Sequence, residues 1–330
     1  MVEPRNLRLS SPDDLIAAVP YIIGFTPTNS LLCILVDDQR IMLAARLDLP
    51  DPSEAHTLAA PAAQTATMLS RYGSTAFLIG YGRADRVAPA ADLLTTALRA
   101  ADVDVCEVLR VDDDRYWCLC GDADCADGVA YNPSGTVVPA QATYLGIAPL
   151  PDRAALEQLI APVTGPERER MRFATGAALR RLTALRDDPI RVAGTEPPPV
   201  PPEHLVQAGI TVVRQAHDAA ARGDTLSDDD TAWLTAVLLI TEVRDYAWTT
   251  CDGSDVQRQL WIDVTRRAMP QMSAAPACLL SITAYLAGDG AMANIAVDRA
   301  LHAHPDYRLA HLLRDALQSA IPPHLLTTTN

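Results

Sequence analysis

Three of the chain's seven cysteines, Cys118, Cys120 and Cys125, fall within the eight-residue run Cys118-Leu119-Cys120-Gly121-Asp122-Ala123-Asp124-Cys125. Thiols at that density can hold a thiophilic metal, exchange disulfides, or pack as small apolar side chains. Zinc takes four ligands and only three are local, so a fourth such as Cys106 would have to come from a neighbouring strand. The spacing is not Cys-x-x-Cys, and the nearest histidine, His56, lies sixty-two residues before Cys118. A reversible Cys120–Cys125 disulfide is sterically feasible, and inert thiols are the plain alternative. The residues leave all three readings open.

The same region is acidic. Residues 102–127 hold nine carboxylates and two arginines, half of the chain's net charge of −14. Asp122, Asp124 and Asp127-Gly128 approximate a calcium loop, but the third acid comes one residue late and the twelfth position is Pro133 rather than Glu. A solvated acidic loop is expected there. Elsewhere the constellations for catalysis are incomplete. Ser30 stands at the entrance of an apolar run rather than in a Gly-x-Ser-x-Gly elbow, and no phosphate-binding glycine motif occurs. His302 and His304 are two apart and diverge on a helix. Arg244-Asp245, Trp248 and Trp261 read as a packed polar-aromatic contact between helices.

Charge and composition set the background. The chain has 330 residues, 49% apolar and 21% charged, which is a globular balance. All 27 basic residues are arginine. A charge of −14 argues against nucleic-acid binding, which needs clustered cations; the densest basic stretch, 168–186, reads as an exposed helix face. The first residues lack the basic-then-apolar order of a signal peptide, so a cytoplasmic protein with reduced thiols is expected. Residues 15–36 carry no charge and are long enough to span a bilayer, but Pro20 and Pro27 would break a helix in lipid. A short helix, a turn and a buried strand fit better, and no membrane association is expected.

The predicted elements follow. Ser11, Pro12, Asp13 and Asp14 start a helix that runs to about Val19. Pro20, Gly24 and Pro27 then mark a loop. A strand at 31–36 and its return at 41–47 form a hairpin. A helix with a bend at Pro61 spans 53–72, a strand 75–81, a helix 87–100, and two strands 103–111 and 116–120. This order gives an α/β domain, a mixed sheet with flanking helices, over residues 1–150. Residues 151–202 read as a helix and a Pro-rich linker (Glu196 to Pro202). Residues 203–330 read as an all-α domain with helices at 203–222, 228–248, 254–269, 274–287, 290–303 and 307–320. Ala284, Ala293 and Ala300, followed by Pro305, have the small-residue spacing of a tetratricopeptide-like helix hairpin.

The run Pro20-Tyr21-Ile22-Ile23-Gly24-Phe25-Thr26-Pro27-Thr28-Asn29-Ser30, with Arg46-Leu47-Asp48-Leu49-Pro50 after the next strand, resembles an actinobacterial family known as domain of unknown function 4192. Asp113-Asp114-Arg115-Tyr116-Trp117, then Cys120 and Cys125, then Pro133-Ser134-Gly135-Thr136 resemble a second segment of that family, with Ala126 where the family has a further Cys. Arg244-Asp245 and the helix pair between Gly288 and Pro305 resemble a third. The resemblance implies this two-part architecture and an actinobacterial source, and it implies no activity.

The first motif suggests a rigid loop: Gly24 for close backbone approach, Pro27 for a fixed φ, Tyr21 and Phe25 for flat apolar surface, Ser30 bonding the loop's backbone. Arg46 and Asp48 share a strand face. A ligand site in the first domain is expected where this loop meets Trp117 and Cys120. The leading functional expectation is a non-enzymatic interaction or regulatory protein with a protein partner. The alternatives are a small-molecule binder or enzyme using the α/β domain, and a thiol or metal sensor at Cys118, Cys120 and Cys125. No cofactor is predicted; zinc is the metal those thiols would suit.

Overall fold

Helix α1 (Pro12–Ile23) begins where Ser11 accepts a hydrogen bond from the Asp14 amide (3.2 Å), with Pro12 in the first turn and acids near the positive end of the helix. It does not stop at Val19 as expected but runs through Pro20 to Ile23. Gly24, at φ +85°, ends it in the left-handed conformation. A Cβ at Gly24 would meet nothing within 4 Å, so the residue serves this dihedral and not the close backbone approach expected of it. The computed structural model describes residues 11–37, 40–121, 125, 127–186 and 201–326. The readings on residues 1–10, on the turn at 38–39, on Asp122 and Asp124, and on most of the Pro-rich stretch lie outside the described residues.

The chain divides into two compact units, Met1–Ala155 and Leu156–Asn330. In the first, β1 (Ser30–Asp37), β2 (Arg40–Asp48), β3 (Thr75–Tyr81), β4 (Asp104–Asp112), β5 (Arg115–Cys118) and β6 (Val129–Ala130) form one sheet in the order β2-β1-β3-β4-β5-β6. Among the described strands β3 and β4 pair in parallel, joined by α3 (Ala84–Ala100), and the other strand pairs are antiparallel. A parallel pair needs such a crossover, whereas hairpins need only turns.

The uninterrupted apolar run of β1 follows from its place: it is buried on both faces. Leu31, Cys33 and Leu35 pack towards α2 (Ala59–Leu69) and α3, and Leu32 and Ile34 towards α1. The bend expected at Pro61 is a change of helix type: a 3-10 turn over Pro52–Leu58 precedes α2, and Pro61 sits in its first turn, where a missing N–H costs nothing. Helix α4 (Val138–Tyr144) joins α1 through Val138, Ala17 and Ala18.

The described helices of the second half are α5 (Arg153–Gln158), α6 (Gly165–Arg186), α7 (Glu203–Ala221), α8 (Asp228–Val237), α9 (Thr241–Thr249), α10 (Asp255–Arg267), α11 (Ala274–Leu286), α12 (Gly290–Ala303) and α13 (Arg308–Gln318). The single helix expected at 228–248 is two helices, α8 and α9, parted at Leu238–Ile240 where Ile240 turns extended (φ −83°, ψ 118°). Helix α6 packs against α8 within the second unit. Helices α11 and α12 pack as a hairpin, and Ala284, Ala293 and Ala300 are fully buried. Trp248 and Trp261 find separate partners: Trp248 Nε1 donates to the Leu326 carbonyl (2.7 Å), and Trp261 meets His217 edge-on (5.8 Å). Among the described residues no helix is long and apolar enough to cross a membrane.

Candidate functional site

Strand β5 is short and delivers its residues to two faces. Tyr116 and Cys118 belong to the α1-side core, so Trp117 between them faces the opposite side. There the guanidinium of Arg110, the register partner of Trp117 on β4, lies 3.6 Å from the indole centroid. Arg110 is buried and its Nη1 donates to Asp112 (2.9 Å), so the cation that stacks on the ring is itself held by a carboxylate.

After Cys118 the chain leaves the sheet and returns at β6, whose Val129 and Ala130 pair with Tyr116 and Arg115. Two contacts fix the return. Arg115 donates to the carbonyls of Asp127 (2.9 Å) and Gly128 (2.8 Å). Gly128, at φ +65°, lies so close to Trp117 that a Cβ would stand 2.5 Å from the indole. The sequence therefore needs glycine there twice, for the dihedral and for the ring.

The consequence is convergence of the three thiols. The Sγ atoms of Cys118, Cys120 and Cys125 all lie within 4.8 Å of one another, and those of Cys120 and Cys125 are 3.4 Å apart. A tetrahedral thiolate site with metal–sulfur bonds of about 2.3 Å has sulfur–sulfur edges of about 3.8 Å, so shifts of under about 1 Å would seat an ion. Cys118 and Cys125 are half-buried and Cys120 is exposed. Burial pushes the Cys118 thiol up, and the sulfur contact with Cys120 pushes Cys125 up to about 11. Neither is the low-pKa thiolate of a disulfide oxidoreductase.

Among the described residues no fourth His, Cys, Asp or Glu joins the cluster. Cys106, the example the sequence offered of a fourth ligand, is exposed on β4, three residues before Leu109, the partner of Cys118. That offset is about 10 Å along a strand.

The loop expected to meet this site is elsewhere. Tyr21 is not in the loop but in the last turns of α1, against Ala17, Ala18 and Val138. Phe25 and Pro27 are buried. The loop is tied to Leu150, which donates to the Gly24 carbonyl (2.8 Å) and accepts from the Thr26 amide (3.0 Å). Arg46 lies over the Phe25 ring (5.6 Å) and pairs with Asp48, so these residues do gather. Arg46 is on the α1 side of edge strand β2, whereas Trp117 is on the other side of β5, four strand spacings or about 19 Å away. Ser30 is fully buried, but its hydroxyl has no partner, so it does not bond the loop's backbone as expected.

Sequence reasoning missed Arg110 and Gly128. The signal for Arg110 was a lone cation inside the apolar run Val108-Leu109-Arg110-Val111. Gly128 had none beyond its place after the acidic loop.

The fold and site thus define a protein with a six-stranded mixed α/β unit that carries a three-thiol cluster, and a helical second unit. Residues 12–324 match the family described as a domain of unknown function (DUF4192), and the chain belongs to that family. No curated protein and no solved structure matches it.

Proposed function

We propose that the chain is a thiophilic-metal-binding regulatory protein, with Cys118, Cys120 and Cys125 as its ligands. The observation that carries this reading is the approach of three sulfurs from one strand end and one returning loop to within 4.8 Å. Three thiolates select zinc, copper(I) and similar soft ions over magnesium or calcium. Among the described residues three thiols would hold the ion, which leaves a fourth position for water or an incoming ligand. The reading needs a reducing compartment, which the cytoplasm supplies.

Titration of the reduced, metal-free full chain with zinc or cobalt(II), followed by native mass spectrometry and thiolate-to-cobalt absorption, tests it. One ion per chain is expected, lost in Cys118→Ser and Cys125→Ser. A chain that binds none, or binds equally in those variants, overturns it.

A second reading rests on the α11–α12 hairpin with its buried alanines: the helical unit is a tetratricopeptide-like scaffold that docks a protein partner. Crosslinking in cells from engineered sites on α12 and α13 would recover one defined partner if this holds. Diffuse products would count against it.

A further inference from the structure

The helical unit holds an open cleft of about 360 Å³, lined by Glu157, Ile160, Ala161, Ile295, Asp298, Arg299 and His302. Residues 295, 298, 299 and 302 fall on one face of α12, spaced as successive helical turns require. The apolar floor is Ile160, Ala161 and Ile295. Clefts of this size between helices are ordinary small-molecule sites.

The charge pattern of the cleft is unusual. Arg299 is half-buried, and its Nε is sealed from solvent without a hydrogen-bond partner. Other arginines with an unpartnered Nε, namely Arg46, Arg258 and Arg314, each hold a carboxylate through their terminal nitrogens. Among the described residues Arg299 has no such carboxylate. Burial, and then the like charge of Arg168 on α6, lowers the Arg299 pKa. The carboxylates of the cleft do not neutralise it: Asp298 accepts from Arg314, and Glu157 is engaged by an interaction of its own. A half-buried guanidinium with no carboxylate partner, beside an apolar floor, forms half of an ion-pair site.

We propose that this cleft binds a small organic oxyanion, its charged group on Arg299 and its apolar part on Ile160 and Ile295. The guanidinium fork suits carboxylate and phosphate alike, and the apolar floor favours an anion that carries a short hydrocarbon body.

The test is calorimetric titration of the full chain with two probes, hexanoate and inorganic phosphate, at low salt. Saturable binding of hexanoate, at least tenfold weaker in Arg299→Met, supports a carboxylate ligand. Binding of phosphate with the same dependence on Arg299 supports the shared oxyanion chemistry with a phosphoryl source. Thermal unfolding of the ligand-free variant separates site from scaffold. An unpaired half-buried cation kept for a ligand predicts an Arg299→Met melting temperature equal to or above that of the parent. Failure of both probes to bind, or equal binding by the Met variant, overturns the proposal. So does a large loss of melting temperature in that variant.

Discussion

The Tyr81 hydroxyl lies 3.4 Å from the backbone carbonyl of Ile16, the carbonyl of α1 that Pro20 deprives of its amide partner. A proline within a helix removes the hydrogen bond to the residue four before it. Here the sheet supplies the missing donor, because Tyr81 ends β3 on the α1 side. That repair explains how α1 passes through Pro20 to reach Gly24. Tyr81→Phe is expected to leave a buried carbonyl unsatisfied and to cost about 1–3 kcal/mol. Pro20→Ala restores an amide to Ile16, so Tyr81→Phe should cost much less in that background. Urea unfolding of the four members of the cycle gives the coupling; equal costs in both backgrounds would disprove the repair.

This pair also marks what the sequence could and could not say. The order from α1 to β5 was readable, because apolar runs and turn residues are local, whereas the two-residue β6 and the short α4 carry too little pattern and were missed. The end of α1 was not, because the partner that rescues Pro20 is sixty-five residues away. The same limit explains the site. Alternation correctly placed Arg46 and Asp48 on one face, but strand order is not written in a local pattern, and it sets β2 and β5 far apart. The thiol cluster was legible as a density of cysteines. What closes it, Gly128 against Trp117, is a contact across the returning loop. From α7 onward the helices were readable from periodicity except for the break between α8 and α9, which neither Gly nor Pro marks, and the one helix expected before the Pro-rich linker is two, α5 and α6, parted around Pro162.

Gly128→Ala should therefore act on the thiols while leaving the sheet folded. A Cβ 2.5 Å from the indole, on a backbone at φ +65°, forces the ring or the loop to move. Moving either one loosens the return that carries Cys125. On the metal-binding reading proposed above, zinc or cobalt(II) affinity is expected to fall about 10–100-fold, as for other supports of metal ligands. Cobalt(II) titration measures it, and far-ultraviolet circular dichroism should be unchanged. Undiminished affinity would show that the loop holds its thiols without this contact.

Stability should fall in alkali through the buried thiols. Burial pushes Cys33, Cys251 and Cys278 each up to about 12, from an ordinary value near 9. Their folded pKa lies above the unfolded one, so the folded chain holds protons that the unfolded chain releases. The contribution is complete below pH 9 and is lost as the pH rises from 9 towards 12. Each thiol contributes a slope of about 1.4 kcal/mol per pH unit in that window. Urea unfolding under reducing conditions at pH 8 to 11 should show the decline. In Cys251→Ala/Cys278→Ala the second unit should start less stable but lose stability more slowly. An unchanged slope in that double variant would assign the alkaline loss to other groups.

Two helical glycines are expected to respond in opposite directions to the same substitution. Alanine gains about 1 kcal/mol over glycine in a helix interior. At Gly176 of α6 the nearest atom to a new Cβ is the Arg180 guanidinium nitrogen, at 3.5 Å, an ordinary contact, so the propensity gain should appear as stabilisation of about 0.5–1 kcal/mol. At Gly209 of α7 the Cβ would meet Val243 of α9 at 2.5 Å. Overpacking costs about 1–3 kcal/mol, which outweighs the propensity gain and makes the net effect destabilising. Val243→Ala removes the obstructing methyl groups, so Gly209→Ala should turn neutral or stabilising in that background. Thermal unfolding of these variants decides it; a Gly209→Ala chain that melts above its parent would mean that α7 and α9 separate more easily than their packing implies.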